Sequence, residues 1–423
     1  MRSTGWRRAL APAAAFCLIL TAAAQPAAAA GARADAGSWT ATWGSAMQRP
    51  TKGAADTGPN WSLSGFGDHT LRQVIRVTAA APELRVRLSN RYGTKPLKLS
   101  GATVGRSAGG AAVWPGTSRA LRFGGRTRTE IPPGGQAVSD PVALPTSPLE
   151  RLAVTLRLPE ATGPATFHRF TTATSYRAAG DRLSDLGGRA FTESTAAWYY
   201  LTGVEVAAAA PAVVVFGDSL VDGVGSTPGA ETRFTDQLAE RLVAAGSPAS
   251  VVSAGIAGGR LLNDSPCFGD RALDRLGRDV LDRPGVKAVV VHLGANDLAY
   301  PGLDDPCAKP DPKVGVEELI AGHRRLIAAA RARGIRTVGV TVIPLRGALF
   351  PFWTKEIEAA RVALNHWIRT SGAYDVVLDA DRAMSDPAAP DRPRPGYVFM
   401  DGLHPDDAGA HAIAAALDLR RLL

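Results

Sequence analysis

Ser219 closes the run Val213-Val-Val-Phe216-Gly217-Asp218-Ser219-Leu220. The apolar residues read as a buried strand, and Gly217 permits a sharp turn at its end. Ser219 would then emerge where a helix begins, on the side of an open α/β sheet where ligands bind. A hydroxyl there can attack a substrate if a base and an oxyanion site lie nearby. Asp218 and Ser219 can equally serve only as a helix cap, so the decision falls to three stretches downstream. Ser253-Ala-Gly255-Ile-Ala-Gly258-Gly259 lets backbone N–H groups approach a ligand closely, because glycine has no Cβ. Gly294-Ala-Asn296-Asp297 offers a side-chain amide, and Asp401-Gly-Leu-His404-Pro405 offers an imidazole with a carboxylate three residues before it. Together these supply what ester cleavage through an acyl-enzyme needs. Ser219 is the nucleophile, His404 the candidate base, since an imidazole titrates near neutral pH, and Asp401 the group that holds the imidazole. The N–H groups of Ser219 and Gly258 and the amide of Asn296 are the oxyanion donors. This chemistry needs no metal and no cofactor.

The elements that must position these residues change style along the chain. Residues 38–206 hold many short β-like runs with turn signals between them, and no long amphipathic helix. In Leu84-Arg-Val-Arg-Leu88 apolar and charged residues alternate, as in a half-buried strand. Leu71–Val77 and Leu152–Leu158 are similar, and Gly-rich turns separate the runs. This predicts an antiparallel β-sandwich of jelly-roll type. A short Ala-Pro linker follows at 207–211. From 212 to 423, apolar strands at 213–216, 250–253, 288–293, 337–343 and 376–378 alternate with helical patterns. That alternation predicts a parallel sheet between helices. The C-terminal ends of its strands share one edge, so residues distant in sequence converge there.

The four blocks resemble the SGNH, or GDSL-type, hydrolases, a family of serine esterases and lipases. Its Ser, Gly, Asn and His correspond to Ser219, Gly258, Asn296 and His404, with Asp401 as the histidine's partner. The resemblance covers residues 212–423. It implies a flavodoxin-like three-layer α/β domain with strand order 2-1-3-4-5. Ser253 departs from the pattern, since many members carry Asn at the start of that block. Trp39-Thr-Ala-Thr-Trp43, Leu84–Asn90 and Trp198-Tyr-Tyr-Leu-Thr-Gly203 are similar to the β-domain that precedes the catalytic domain in exported members of the family.

Residues 1–30 read as a secretory signal: Arg2, Arg7 and Arg8 precede an apolar core too short to span a bilayer comfortably, and small residues follow. The expected product is a secreted, monomeric protein without an integral membrane segment. Net charge is +9, and loss of the three leader arginines lowers it by three, to +6. The charges are scattered, with no basic stripe interleaved with aromatics, which argues against nucleic acid as a partner. The mature chain keeps Cys267 and Cys307, and in an oxidising compartment a lone pair predicts a disulfide. That bridge would join the loops carrying Gly258 and Asn296. His323, His366 and His411 read as surface or packing residues, and His292 as a hydrogen-bonded core residue. Asp304, Asp305 and Asp311, among prolines, read as a solvated loop rather than a cation site. Trp43, Trp61 and Trp114 read as core. Asp218 and Asp297 read as structural braces.

The expected function is therefore a secreted esterase acting on carboxylic esters, with a short acyl group on a carbohydrate as one substrate class. A lipid acylhydrolase of lipase or lysophospholipase type is the alternative. A sugar O-acyltransferase and a non-catalytic sugar-binding protein are further alternatives. No Gly-x-Ser-x-Gly elbow is present, which argues against the common α/β-hydrolase plan.

Overall fold

The computed structural model describes residues 38–53 and 58–423. The expected leader at 1–30 lies outside the described residues. In strand Ala81–Ser89, Leu84, Val86 and Leu88 are fully buried, as their alternation requires. Arg85 and Arg87 point the other way and meet Glu205 of the neighbouring strand Leu201–Ala207. Arg85 Nε lies 2.5 Å and Arg87 Nη2 2.6 Å from that buried carboxylate. A buried charge needs such partners to be tolerated.

This strand belongs to an antiparallel sheet with spatial order Trp39–Gly44, Leu201–Ala207, Ala81–Ser89, Val142–Thr146. A second antiparallel sheet runs Glu193–Thr195, Ser175–Ala179, His69–Arg76, Arg151–Leu158, Gly101–Gly109, Ala112–Val113. Leu71, Ile75, Leu84, Val86, Leu152 and Leu156 join one apolar cluster fed by both sheets. Trp43 and Trp61 are buried, but Trp114 is 55% exposed. It stands on the turn Trp114–Thr117, closed by the Thr117 N–H on the Trp114 carbonyl, and so faces away from the core.

The second region is built on β1 (Ala212–Gly217), β2 (Ser250–Gly255), β3 (Val286–His292), β4 (Arg336–Val340) and β5 (Val376–Leu378). They form a parallel sheet in the order β2-β1-β3-β4-β5. Val213 and Val215 enter one apolar cluster, while Val214 and Phe216 enter another on the opposite face. Burial on both faces is why the strand is apolar throughout rather than alternating. The strand read at 337–343 ends earlier, at Val340. Beyond it the Val342 N–H bonds to the Asn365 side chain at 2.7 Å instead of extending the ladder.

β2 is an edge of the parallel sheet, and the β-rich region covers it. The Thr78 hydroxyl lies 3.0 Å from both the N–H and the carbonyl of Val251. Ser250 Oγ donates to the Ala41 carbonyl at 2.6 Å. An open edge would otherwise be a template for pairing with another chain. The described residues accordingly form one compact unit. No helix of the described residues is long and apolar enough to cross a membrane.

Candidate active site

At the end of β1 the chain turns sharply through Gly217. A Cβ there would sit 2.6 Å from the His292 carbonyl oxygen and 2.5 Å from a Val221 methyl, so no side chain fits. Asp218 caps α1 (Ser219–Asp222), its Oδ1 accepting the Leu220 N–H at 3.2 Å. The same oxygen lies 2.8 Å from His292 Nδ1. Asp218 thus does the capping, and Ser219, first in the helix, is left to project.

His404 reaches Ser219 from a segment 185 residues away. Its Nε2 lies 2.8 Å from Ser219 Oγ. Its Nδ1 lies 2.6 Å from Asp401 Oδ2. The other oxygen of Asp401 accepts the N–H groups of Leu403 at 2.9 Å and His404 at 3.0 Å. Burial pushes the Asp401 pKa up, but these hydrogen bonds and the nearby imidazole outweigh it and hold the carboxyl below its ordinary value. An ionised carboxylate accepts only, so it fixes the neutral ring with Nδ1–H toward Asp401 and the Nε2 lone pair toward the serine hydroxyl.

Ser219, Gly258, Asn296 and His404 line one cavity of about 440 Å³. Gly258 sits in a turn closed by the Gly259 N–H on the Ile256 carbonyl at 2.8 Å. Its φ of +79° suits glycine, and a Cβ would meet the Phe268 ring at 2.4 Å. Asn296 donates one N–H to the Gly259 carbonyl at 2.9 Å. A primary amide carries a second donor, and Asn296, buried at the start of helix α2 (Ala295–Ala299), is one of the residues that line the cavity. Asp297 accepts the N–H groups of Leu261 at 2.8 Å and Leu262 at 3.0 Å, tying α2 to the Gly258 loop. Burial raises its pKa to about 6, against the pull of those two amides.

The remaining wall was not legible in the sequence. Phe268, Tyr300, Phe350 and Phe352 give the cavity an aromatic lining, and Asp304 and Asp305 border it rather than lying in a purely solvated loop. Asp305 also caps the short helix Pro306–Ala308 by accepting the Cys307 N–H at 2.8 Å. Arg169, from the β-rich region, borders the cavity with its guanidinium 5.0 Å from the centre of the Phe268 ring. No local pattern marks a residue of the β-rich region as part of this wall. Cys267 and Cys307 form a disulfide, which joins the loop after Gly258 to the loop after Asn296.

His323 is buried against the Tyr374 hydroxyl at 2.6 Å, and burial lowers its pKa to about 4. His366 and His411 lie at the surface. His292 lies under the site, where it and Asp218 border a small void shared with Ser219 and His404. Among the described residues no cluster of His, Cys, Asp and Glu could hold a metal ion.

Residues 215–412 match the model of the GDSL-like lipase/acylhydrolase family. Solved structures that match part of the chain include three esterases and lipases. The aryl esterase of M. smegmatis is 18% identical over 51% of this chain and 100% of its own, with a TM-score of 0.40. A lipase/acylhydrolase from Enterococcus faecalis is 21% identical over 49% of this chain and 92% of its own, with a TM-score of 0.37. An acetyl xylan esterase is 18% identical over 48% of this chain and 96% of its own, with a TM-score of 0.36. No curated protein sequence matches the chain.

Proposed function

Because residues 215–412 form a GDSL-like lipase/acylhydrolase domain, we propose that the chain hydrolyses carboxylic esters through an acyl-enzyme on Ser219. The observation that carries this reading is the Asp401–His404–Ser219 chain of contacts, at 2.6 and 2.8 Å, opening into a single cavity. His404 takes the Ser219 proton as the oxygen attacks the ester carbonyl, and Asp401 stabilises the imidazolium that forms. The amides of Ser219 and Gly258 and the free N–H of Asn296 receive the oxyanion. His404 then protonates the departing alcohol, and water reverses the sequence to release the acid.

The substrate is a short-acyl ester of a polar alcohol, with acylated carbohydrate as the leading class. A cavity of about 440 Å³ lined by aromatics suits a small apolar acyl group, and the charged groups at its border suit a hydroxyl-rich leaving group. A lipid ester is the second reading, favoured by Leu349 and Met400, which stand 78% and 80% exposed on the loops beside His404. The β-rich region is a jelly-roll-like accessory sandwich in this reading. The protein is exported and monomeric, and a disulfide suits an oxidising compartment.

A panel of p-nitrophenyl esters of increasing chain length, with acetylated xylan and phospholipid, tests the substrate class. Ser219→Ala should lower kcat by on the order of 10⁴-fold or more on every substrate. Turnover that survives this change would assign the hydrolysis to another residue.

A further inference from the structure

His168 lies in the β-rich region, in the short strand Phe167–His168, and is buried. Its Nδ1 lies 2.8 Å from the Ala46 carbonyl oxygen and its Nε2 2.8 Å from Asp222 Oδ1. A carbonyl offers only lone pairs, so Nδ1 must carry a proton. A neutral ring would then turn the lone pair of Nε2 on a carboxylate oxygen. The second contact therefore needs a further proton, held between Nε2 and Oδ1 whichever atom carries it. Asp222 is the last residue of α1, three positions after Ser219. Its other oxygen, Oδ2, accepts the Ala257 N–H at 2.7 Å. Ala257 is the neighbour of Gly258 in the turn that brings the oxyanion amide to the cavity.

We propose that His168 is a positioning residue for the oxyanion site, its protonated ring holding Asp222 and Asp222 holding the Ala257–Gly258 turn. The β-rich region thereby supplies a piece of the catalytic apparatus. Trp198 stacks on the ring at 5.7 Å between centres, and Trp43 meets Trp198 edge-on at 4.9 Å, so the imidazole has little room to turn aside. Asp222 is the charged group that acts on His168. Asp222 in turn lies in the fields of Arg233 and Arg275, which are matched by Asp236 and Glu231 and by Asp279 respectively.

Burial lowers the pKa of His168, but the charge and hydrogen bond of Asp222 and the carbonyls of Ala46 and Phe170 outweigh it, and the net direction is upward. A raised pKa means that the link is complete below the ordinary histidine value and is lost as pH rises through the folded one. Deprotonation leaves two lone pairs facing each other at the Asp222 contact. The carboxylate must then shift, and the Ala257 N–H loses its acceptor. Turnover should therefore fall on the alkaline side while substrate binding is unaffected.

The inference rests on the acyl-enzyme reading above, and its test separates the two. kcat and KM of the full chain on p-nitrophenyl acetate are measured across pH, with active sites counted by a phosphonate that traps the serine. The wild type should lose kcat at alkaline pH with KM unchanged. His168→Gln and Asp222→Ala should lower kcat on the order of ten- to a hundredfold per titrated site, less than the 10²–10³ typical of deleting an oxyanion donor outright. Their alkaline fall should vanish. Asp222→Asn should recover most of the loss and be pH-independent on that side. Its Oδ1 can accept the Ala257 N–H while its Nδ2 donates to a neutral His168.

A purely structural His168 would lower thermal stability and leave kcat per titrated site and the pH profile as in the wild type, which would overturn the inference. So would an Asp222→Asn enzyme no better than Asp222→Ala, or one that keeps the wild-type alkaline fall. If His168→Gln does not fold, the two Asp222 variants still decide the matter. Failure of Ser219→Ala to abolish turnover would instead remove the reading beneath it.

Discussion

The two sheet systems use their side chains in opposite ways. In the β-rich region Leu84, Val86 and Leu88 alternate with arginines, and the strands are antiparallel. Their ends are spread over both rims, so no single rim gathers the chain's chemistry. In the parallel sheet Val213 to Phe216 are buried on both faces, and every strand ends on the same side. That side receives Ser219 after β1, Gly258 after β2 and Asn296 after β3. The contrast shows why the reactive residues cluster in one region, because parallel topology turns strand ends into a common platform. The antiparallel region contributes by contact instead. It closes the edge strand β2 through Thr78, borders the cavity with Arg169 and holds Asp222 with His168.

If the two regions depend on one another, damage to one core should be felt in the other. Leu84→Ala should cost about 2–5 kcal/mol of stability. Activity and β-rich structure should then be lost together in one melting transition, followed by circular dichroism and residual turnover. Activity that outlasts the melting of the β-rich region would make the two independent. Gly258→Ala tests the catalytic side alone. A Cβ would strain φ and strike Phe268, so kcat should fall on the order of 10²–10³-fold, about 3–4 kcal/mol, through loss of one oxyanion donor. A kcat loss below about fivefold would remove Gly258 from that role.

The smallest expected effect concerns the loops that follow Gly258 and Asn296. Replacing Cys267 and Cys307 by serine should cost roughly 2–4 kcal/mol. kcat should survive at a temperature where the variant stays folded, since Asp297 also ties α2 to the Gly258 loop. Two free thiols in the denatured, unreduced wild type would show that the bridge does not form.

Some of the site was legible because each of its parts is local. Gly217-Asp218-Ser219 follows an apolar run, and Asp401 precedes His404 by three residues, a spacing a single turn can close into a hydrogen bond. Other parts carried no such mark. Asp222 is one of several acids near a helix end. His168 has no pattern around it at all, because its partner lies 54 residues away in the other region. Trp114 misled for a related reason. An aromatic residue in a β-rich segment suggests burial, but a turn decides which way it faces.

The amino-acid sequence determined which residues can do chemistry, which runs become strands, and the order in which they follow. Those properties depend on neighbours a few positions apart, through periodicity, turn chemistry and side-chain functional groups. Tertiary structure alone decided that His404 stands within hydrogen-bond reach of Ser219, that aromatic and acidic loops wall the cavity, and that a histidine of the β-rich region reaches the helix carrying the serine. These are contacts between surfaces that meet only after both cores have packed, and no local signal in the chain encodes how two packed bodies will fit.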